Sequence, residues 1–172
     1  MCLLLNACTE QVPTPLPQTS DSPLTGLWTL YSMEQRDSAT GTWQPYRNGM
    51  QGYLLYDGRG HMALHLSTRG YEQFRPEFPN FNPQIPSEAL QHLTNSYHYL
   101  GTYTIDEAKG QVTHTKLAHS NPSEWGLEAV RNFRFEGDTL VMTPEEEENA
   151  RLRVKWGGYE LKINNYELII MN

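Results

Sequence analysis

The sequence predicts an all-β fold of short antiparallel strands, a sandwich or a barrel, and three observations carry that expectation. Apolar and polar residues alternate with a period of two over many short segments. Gly, Asn and Asp turn signals bound those segments, and ten Tyr and four Trp suit pleated, half-buried surfaces. Low mean hydropathy agrees, because a sheet with one wet face needs apolar side chains only at every second position. At 172 residues the chain can close one core without metals or disulfides.

The formal net charge is −7 and the basic residues are scattered. That argues against nucleic acid as a partner, which calls for a positive stripe to displace counterions from phosphate. Both cysteines, Cys2 and Cys8, precede residue 10, so no internal disulfide staples the folded part.

The N-terminal stretch divides from the rest. Leu5-Asn6-Ala7-Cys8 follows the apolar run Leu3 to Leu5 and resembles the lipobox at which bacterial lipoproteins are cut and acylated. Thr9 differs from the Asp that would retain such a lipoprotein in the inner membrane. This resemblance implies lipidation at Cys8, palmitate-type chains and an outer-membrane lipoprotein of the cell envelope, facing periplasm or surface. Seven residues without Lys or Arg are too few for a complete n-region and h-region, so either the start lies upstream or the match is accidental. Thr9 to Pro23 carries four prolines among small polar residues and reads as an extended spacer, against the alternative of a loop packed on the domain. The chain therefore divides into a truncated signal or lipobox region (1–7), a lipid-anchor tether (8–23) and a folded domain (24–172).

The first strand is expected from Leu24 to Met33, with Trp28 and Leu30 on one face and Tyr31 and Met33 on the other. Gln35 to Thr42 is a turn cluster, and Trp43 to Tyr46 reads as an edge strand, where Pro45 is tolerated. Asn48-Gly49 then leads into a hairpin from Gly52 to Leu66, turned at Asp57-Gly58. Its second strand points Met62, Leu64 and Leu66 one way and His61, Ala63 and His65 the other.

Ser67 to Ser96 interrupts the rhythm. Tyr71 to Pro86 is a Pro-rich loop with its own aromatic contacts, a plug or a lid, and Ser87 to Asn95 is one short helix capped by Ser87. Strands resume at Tyr97–Ile105, Gln111–Ala118, Val130–Phe135 and Thr139–Thr143, with Tyr97, Tyr99, Gly101, Tyr103 and Ile105 sharing a face. Pro144 to Ala150 holds four consecutive glutamates and reads as a solvated loop. Arg151 to Trp156 turns Leu152, Val154 and Trp156 inward. Gly157-Gly158 and Asn164-Asn165 read as hairpin turns of a closing meander.

Several blocks in order resemble the bacterial lipocalin-like domain family. They are Gly26-Leu27-Trp28 with Ser32, Gly52 to Gly60, Tyr99 to Tyr103, His114, Arg131 to Phe135, and Gly137 to Leu140. The resemblance runs from about Leu24 to Trp156. It implies an antiparallel up-and-down, calycin-type barrel of about eight strands, with one short helix in a long connection and a cavity open at one end. Gly26 and Trp28 would then be structural, Trp28 near the closed end with a basic residue stacked on it. Arg153 is the candidate by chain position, although its alternation points it outward.

Function has to be read from the lumen, since one fold hosts many activities. Tyr99, Tyr103, His114 and Arg131 are the candidate ligand-binding residues, polar groups on strands otherwise rich in apolar side chains, able together to meet a carboxylate or enolate. No catalytic residue is assigned and no cofactor is expected. A metal is not expected either, because His61 and His65, four residues apart on one strand, are about 13 Å apart at the Cα atoms. No Gly-x-Ser-x-Gly motif, phosphate loop or cysteine nucleophile supports a hydrolase or a nucleotide site.

Two functional classes follow, with a third beside them. The first is a surface-anchored protein that binds a small apolar or amphipathic molecule in the barrel, with the membrane engaged through the anchor at Cys8. The second is a barrel enzyme of isomerase or cyclase type, with His114 and lumen Tyr or Arg residues. A titration-shifted His114 within reach of Tyr99 or Arg131 in a pocket would favour the enzyme. The third is a ligand-free structural barrel with a filled interior.

Overall fold

The computed structural model describes residues 22–77, 85–145 and 151–158. Cys2, Cys8, the lipobox, most of the spacer, part of the Pro-rich loop, most of the acidic run and the meander beyond Gly158 lie outside the described residues.

Among the described residues nine strands and one α-helix follow one another: β1 (Gly26–Arg36), β2 (Trp43–Pro45), β3 (Met50–Tyr56), β4 (His61–Thr68), α1 (Ser87–Asn95), β5 (Tyr97–Asp106), β6 (Gln111–His119), β7 (Glu128–Glu136), β8 (Thr139–Pro144) and β9 (Leu152–Gly158). All pairings are antiparallel. From β3 to β9 each strand bonds to the next in sequence, and β1 bonds to both β3 and β9. Eight strands thus close into an up-and-down barrel, while β2 adds a short flap on the far end of β1. Closure removes the sheet edges that would otherwise present unpaired amides.

The alternation seen in the sequence becomes inside and outside. Leu54, Tyr56, Met62, Leu64, Leu66, Tyr99, Tyr103 and Val112 fill one continuous core, while Tyr53, Leu55 and Leu100 at the alternate positions face solvent. The closed end is sealed by Leu24, fully buried, and by Trp28. Its indole Nε1 donates to the Leu24 carbonyl at 2.8 Å, and its ring lies 6.1 Å from that of Phe135.

Two bulges break the period of two. Leu30 pairs with Trp156 and Ser32 with Lys155, so Tyr31 is the extra residue; it stays outside, and Met33, paired with Val154, turns inward. The expectation that Met33 shares the outer face of Tyr31 is corrected by this bulge. In β6 the extra residue is Leu117, which leaves both Lys116 and His119 buried. Gly101 lies opposite Lys116, and any Cβ there would overlap the carbonyl oxygen of Thr115. Glycine lets the bulged strand come that close.

Three further expectations change. Gly157 and Gly158 pair with Thr29 and Trp28, so they end β9 rather than forming a hairpin turn. The β3–β4 connection is longer than a two-residue turn. The Asp57 carboxylate organises it, accepting from the amides of Arg59 at 2.7 Å and His61 at 2.9 Å. In α1 the N-cap position belongs to Pro86 with no side-chain cap, and Ser87 is the first helical residue.

Candidate functional site

The barrel interior keeps a cavity of about 200 Å³ toward the open end. Its walls are largely aliphatic, from residues such as Met33, Leu54, Leu64, Leu66 and Met142. Strand alternation aims Leu54, Leu64, Leu66 and Met142 inward, and the bulge in β1 adds Met33 to them.

One side of the cavity is polar. His114 on β6, 2% exposed, is held between two phenols: Tyr56 Oη lies 2.7 Å from Nε2, and Tyr99 Oη lies 2.7 Å from Nδ1. A neutral imidazole has one N–H, so one phenol donates to the bare nitrogen and the other accepts from the protonated one. Burial, with the nearby charges of Arg131 and Lys116, pushes the His114 pKa down to about 3. Burial likewise holds the Tyr56 phenol protonated well above its usual range. The group is therefore an uncharged relay of hydrogen bonds.

Of the four lumen residues expected from the sequence, Tyr99, His114 and Arg131 line the cavity. Arg131 Nη1 donates to the Val130 carbonyl at 2.9 Å, which fixes the guanidinium near its own strand. Tyr103 does not line the cavity. It is buried deeper, edge-on to Tyr56 with centroids 4.7 Å apart, and its hydroxyl has no partner among the described residues. Gly26 opens β1 at φ 135°, and Trp28 is buried beside it. No basic residue stacks on Trp28 among the described contacts. Arg153 faces outward, its guanidinium 4.1 Å from the Trp43 ring centroid and 2.7 Å from Glu34 Oε2. Its alternation put it outside, and that local geometry prevailed.

Three residues were not assigned to the site or its surroundings from the sequence. Tyr56 shares the inward face with Leu54 and Gly52, and its register could have marked it, but its meeting with His114 joins residues 58 apart. Trp156 was read as inward; that its Nε1 lies buried without a partner while its ring lines the cavity emerges only from the closed barrel. Lys116, 4% exposed, is ion-paired to Glu124, and no sequence signal distinguishes this lysine from a surface one. Among the described residues, no group of three or more His, Cys, Asp or Glu is placed to hold a metal.

The fold and its interior define a small, closed antiparallel barrel with a ligand-sized, mostly apolar cavity and one polar wall. The chain belongs to the lipocalin-like domain family, whose sequence model matches residues 25–157. No curated protein matches the sequence.

Proposed function

We propose that the barrel binds a small apolar or amphipathic molecule in its cavity. The observation that carries this reading is the 200 Å³ space with largely aliphatic walls and a polar side that holds Tyr99, His114 and Arg131. Such a volume holds roughly seven water-sized groups, which suits a short chain or one ring system. Burying about 300 Å² of ligand at about 25 cal/mol per Å² provides about 7 kcal/mol before ordering costs, enough for binding in the micromolar range. The Tyr99 hydroxyl and the Arg131 side chain in the cavity wall give a polar group on the ligand something to meet. The lipobox-like Leu5 to Cys8 and the Pro-rich stretch behind it support a barrel tethered by lipid at the outer membrane.

Native mass spectrometry of the protein purified gently from its own source tests this. A small-molecule adduct that disappears in Met142→Trp, where a ring fills the cavity, is the expected result. A clean apo mass, with no thermal shift across a panel of short alcohols and acids, would reject it in favour of a barrel without a ligand.

The enzyme reading gains one specific observation, because His114 is titration-shifted and bonded to Tyr99 in the cavity wall. The direction of the shift works against a general base, since an imidazole that accepts a proton only near pH 3 is a poor one at neutral pH. What remains is the Tyr99 hydroxyl, which can donate to an oxyanion in the tautomer where His114 Nδ1–H donates to it. Turnover of a carbonyl ligand that is lost in His114→Gln while binding persists would establish catalysis.

A further inference from the structure

Beside the apolar cavity lies a second pocket of about 300 Å³ at the barrel rim. It is formed where the turn before β3, the end of β4 and the last turn of α1 meet, and the two pockets share Arg47 and Asn95. Its lining is largely polar, with Arg47, Thr68, Arg69, Gln91, His92 and Asn95 contributing, and among the described residues no carboxylate does. In a chain with a formal charge of −7, that is a local reversal of sign.

The backbone is shaped to hold these cations in place. Arg47 and Asn48 both have positive φ, 50° and 62°, a conformation that non-glycine residues adopt at a cost of about 1 kcal/mol or more each. Gly49 follows at φ 109°, and a Cβ there would come within 3.2 Å of Arg69 Cδ, so the glycine leaves the channel along which the Arg69 side chain runs. Arg47 Nη1 donates to the Asn95 carbonyl at 3.0 Å, meeting the partial negative charge at the end of α1. Arg69 Nε makes one long contact to the Met50 carbonyl, 3.4 Å. The His92 ring is fixed by Thr68 Oγ1 at Nδ1 and by the rings of Tyr71 and Phe74. Among the described residues neither Arg47 nor Arg69 has a carboxylate within ion-pair distance. Glu72, on the segment that follows β4, has its carboxylate engaged by Gln51 Nε2 at 2.8 Å.

We propose that this rim pocket is a site for a phosphate-type anionic head whose short apolar tail enters the barrel, with Arg69 as the principal ligand and Arg47 and His92 beside it. The inference rests on the reading of the cavity as a binding site and adds the class of head group. Guanidinium forks match tetrahedral oxyanions with paired hydrogen bonds, and the wall residues Arg47 and Asn95, common to both pockets, put the head site directly beside the cavity that takes the tail.

The test is calorimetric titration of the full chain with octyl phosphate, 1-octanol and inorganic phosphate, in wild type, Arg69→Gln and Arg69→Lys. Octyl phosphate binding at least tenfold more tightly than octanol is expected, with the advantage falling as salt rises. Arg69→Gln should abolish the advantage and leave octanol unchanged, while Arg69→Lys retains part of it. Equal affinity for octyl phosphate and octanol, or an advantage indifferent to Arg69→Gln in a variant that melts like wild type, overturns the rim site and leaves the cavity reading standing. Inorganic phosphate bound through Arg69 with both octyl compounds silent overturns the shared head-and-tail ligand and the cavity reading together, reducing the rim to a site for the free anion.

Discussion

Tyr99 Oη lies 2.7 Å from His114 Nδ1 across the β5–β6 pair, and both residues line the cavity. Tyr56 bonds the other nitrogen of the same ring from the side away from the cavity, fully buried and absent from the lining. The two phenols therefore have separable roles.

Tyr56→Phe leaves His114 Nε2 without a partner in a dry interior, and a loss of about 1–3 kcal/mol of stability is expected with ligand affinity nearly unchanged. Tyr99→Phe should weaken a polar ligand and cost a similar amount of stability. Urea unfolding and ligand titration on both variants check the split; matching affinity losses would show that the ring acts as one unit.

The neutral His114 makes stability fall on the acid side. Its folded pKa, about 3, lies below the ordinary unfolded value near 6.5, so the unfolded chain binds the extra proton between these limits. The contribution is complete above pH 6.5 and is lost as pH falls toward 3. Burial lowers His98 and His119 in the same direction. Stability measured from pH 7 to pH 4 should decline, and His114→Gln should reduce the slope near pH 5 by about one proton. An unchanged slope would place the titration elsewhere.

Gly52 and Gly101 are required by neighbouring backbone. A Cβ at Gly52 would overlap the His65 carbonyl and one at Gly101 the Thr115 carbonyl, so either change to Ala should cost more than about 3 kcal/mol or prevent folding. Gly126→Ala, with a positive φ but open space around it, should cost about 1 kcal/mol. Thermal melts of the three variants rank them; a mild Gly101→Ala would mean that the β6 bulge can relax.

The outer latch of Arg153, Glu34 and Trp43 fastens the β2 flap to the barrel wall. Arg153 donates to Glu34 Oε2 from Nε at 2.8 Å while its plane covers Trp43, and the ion pair is about three-quarters buried. Arg153→Lys keeps the charge but loses the fork and the stacking, so a loss of about 1 kcal/mol is expected. A double-mutant cycle with Trp43→Ala measures the coupling, and additivity would deny it.

Local alternation made much of this fold legible. The apolar period of two marked the strands β3 to β8 and the inward residues of β4 and β5, because side-chain direction in a strand is a local property of the backbone, while Ser87–Asn95 was legible separately as the one short helix. For the same reason Tyr99, His114 and Arg131 could be picked out as inward polar residues before any tertiary contact was known.

What the sequence by itself determined is which segments are strands and which side chains share a face between irregularities. Tertiary structure alone decided the rest. The bulges at Tyr31 and Leu117 turn Met33 and His119 inward without any local signature, since an extra residue is defined only against the partner strand. Closure of β1 on β9 carried the chain through Gly157 and Gly158 instead of turning it there. Barrel register brought Tyr56 to His114, and the packing of α1 over the rim brought Arg47 to Asn95. Each of these depends on where distant segments meet, and periodicity carries no information about that.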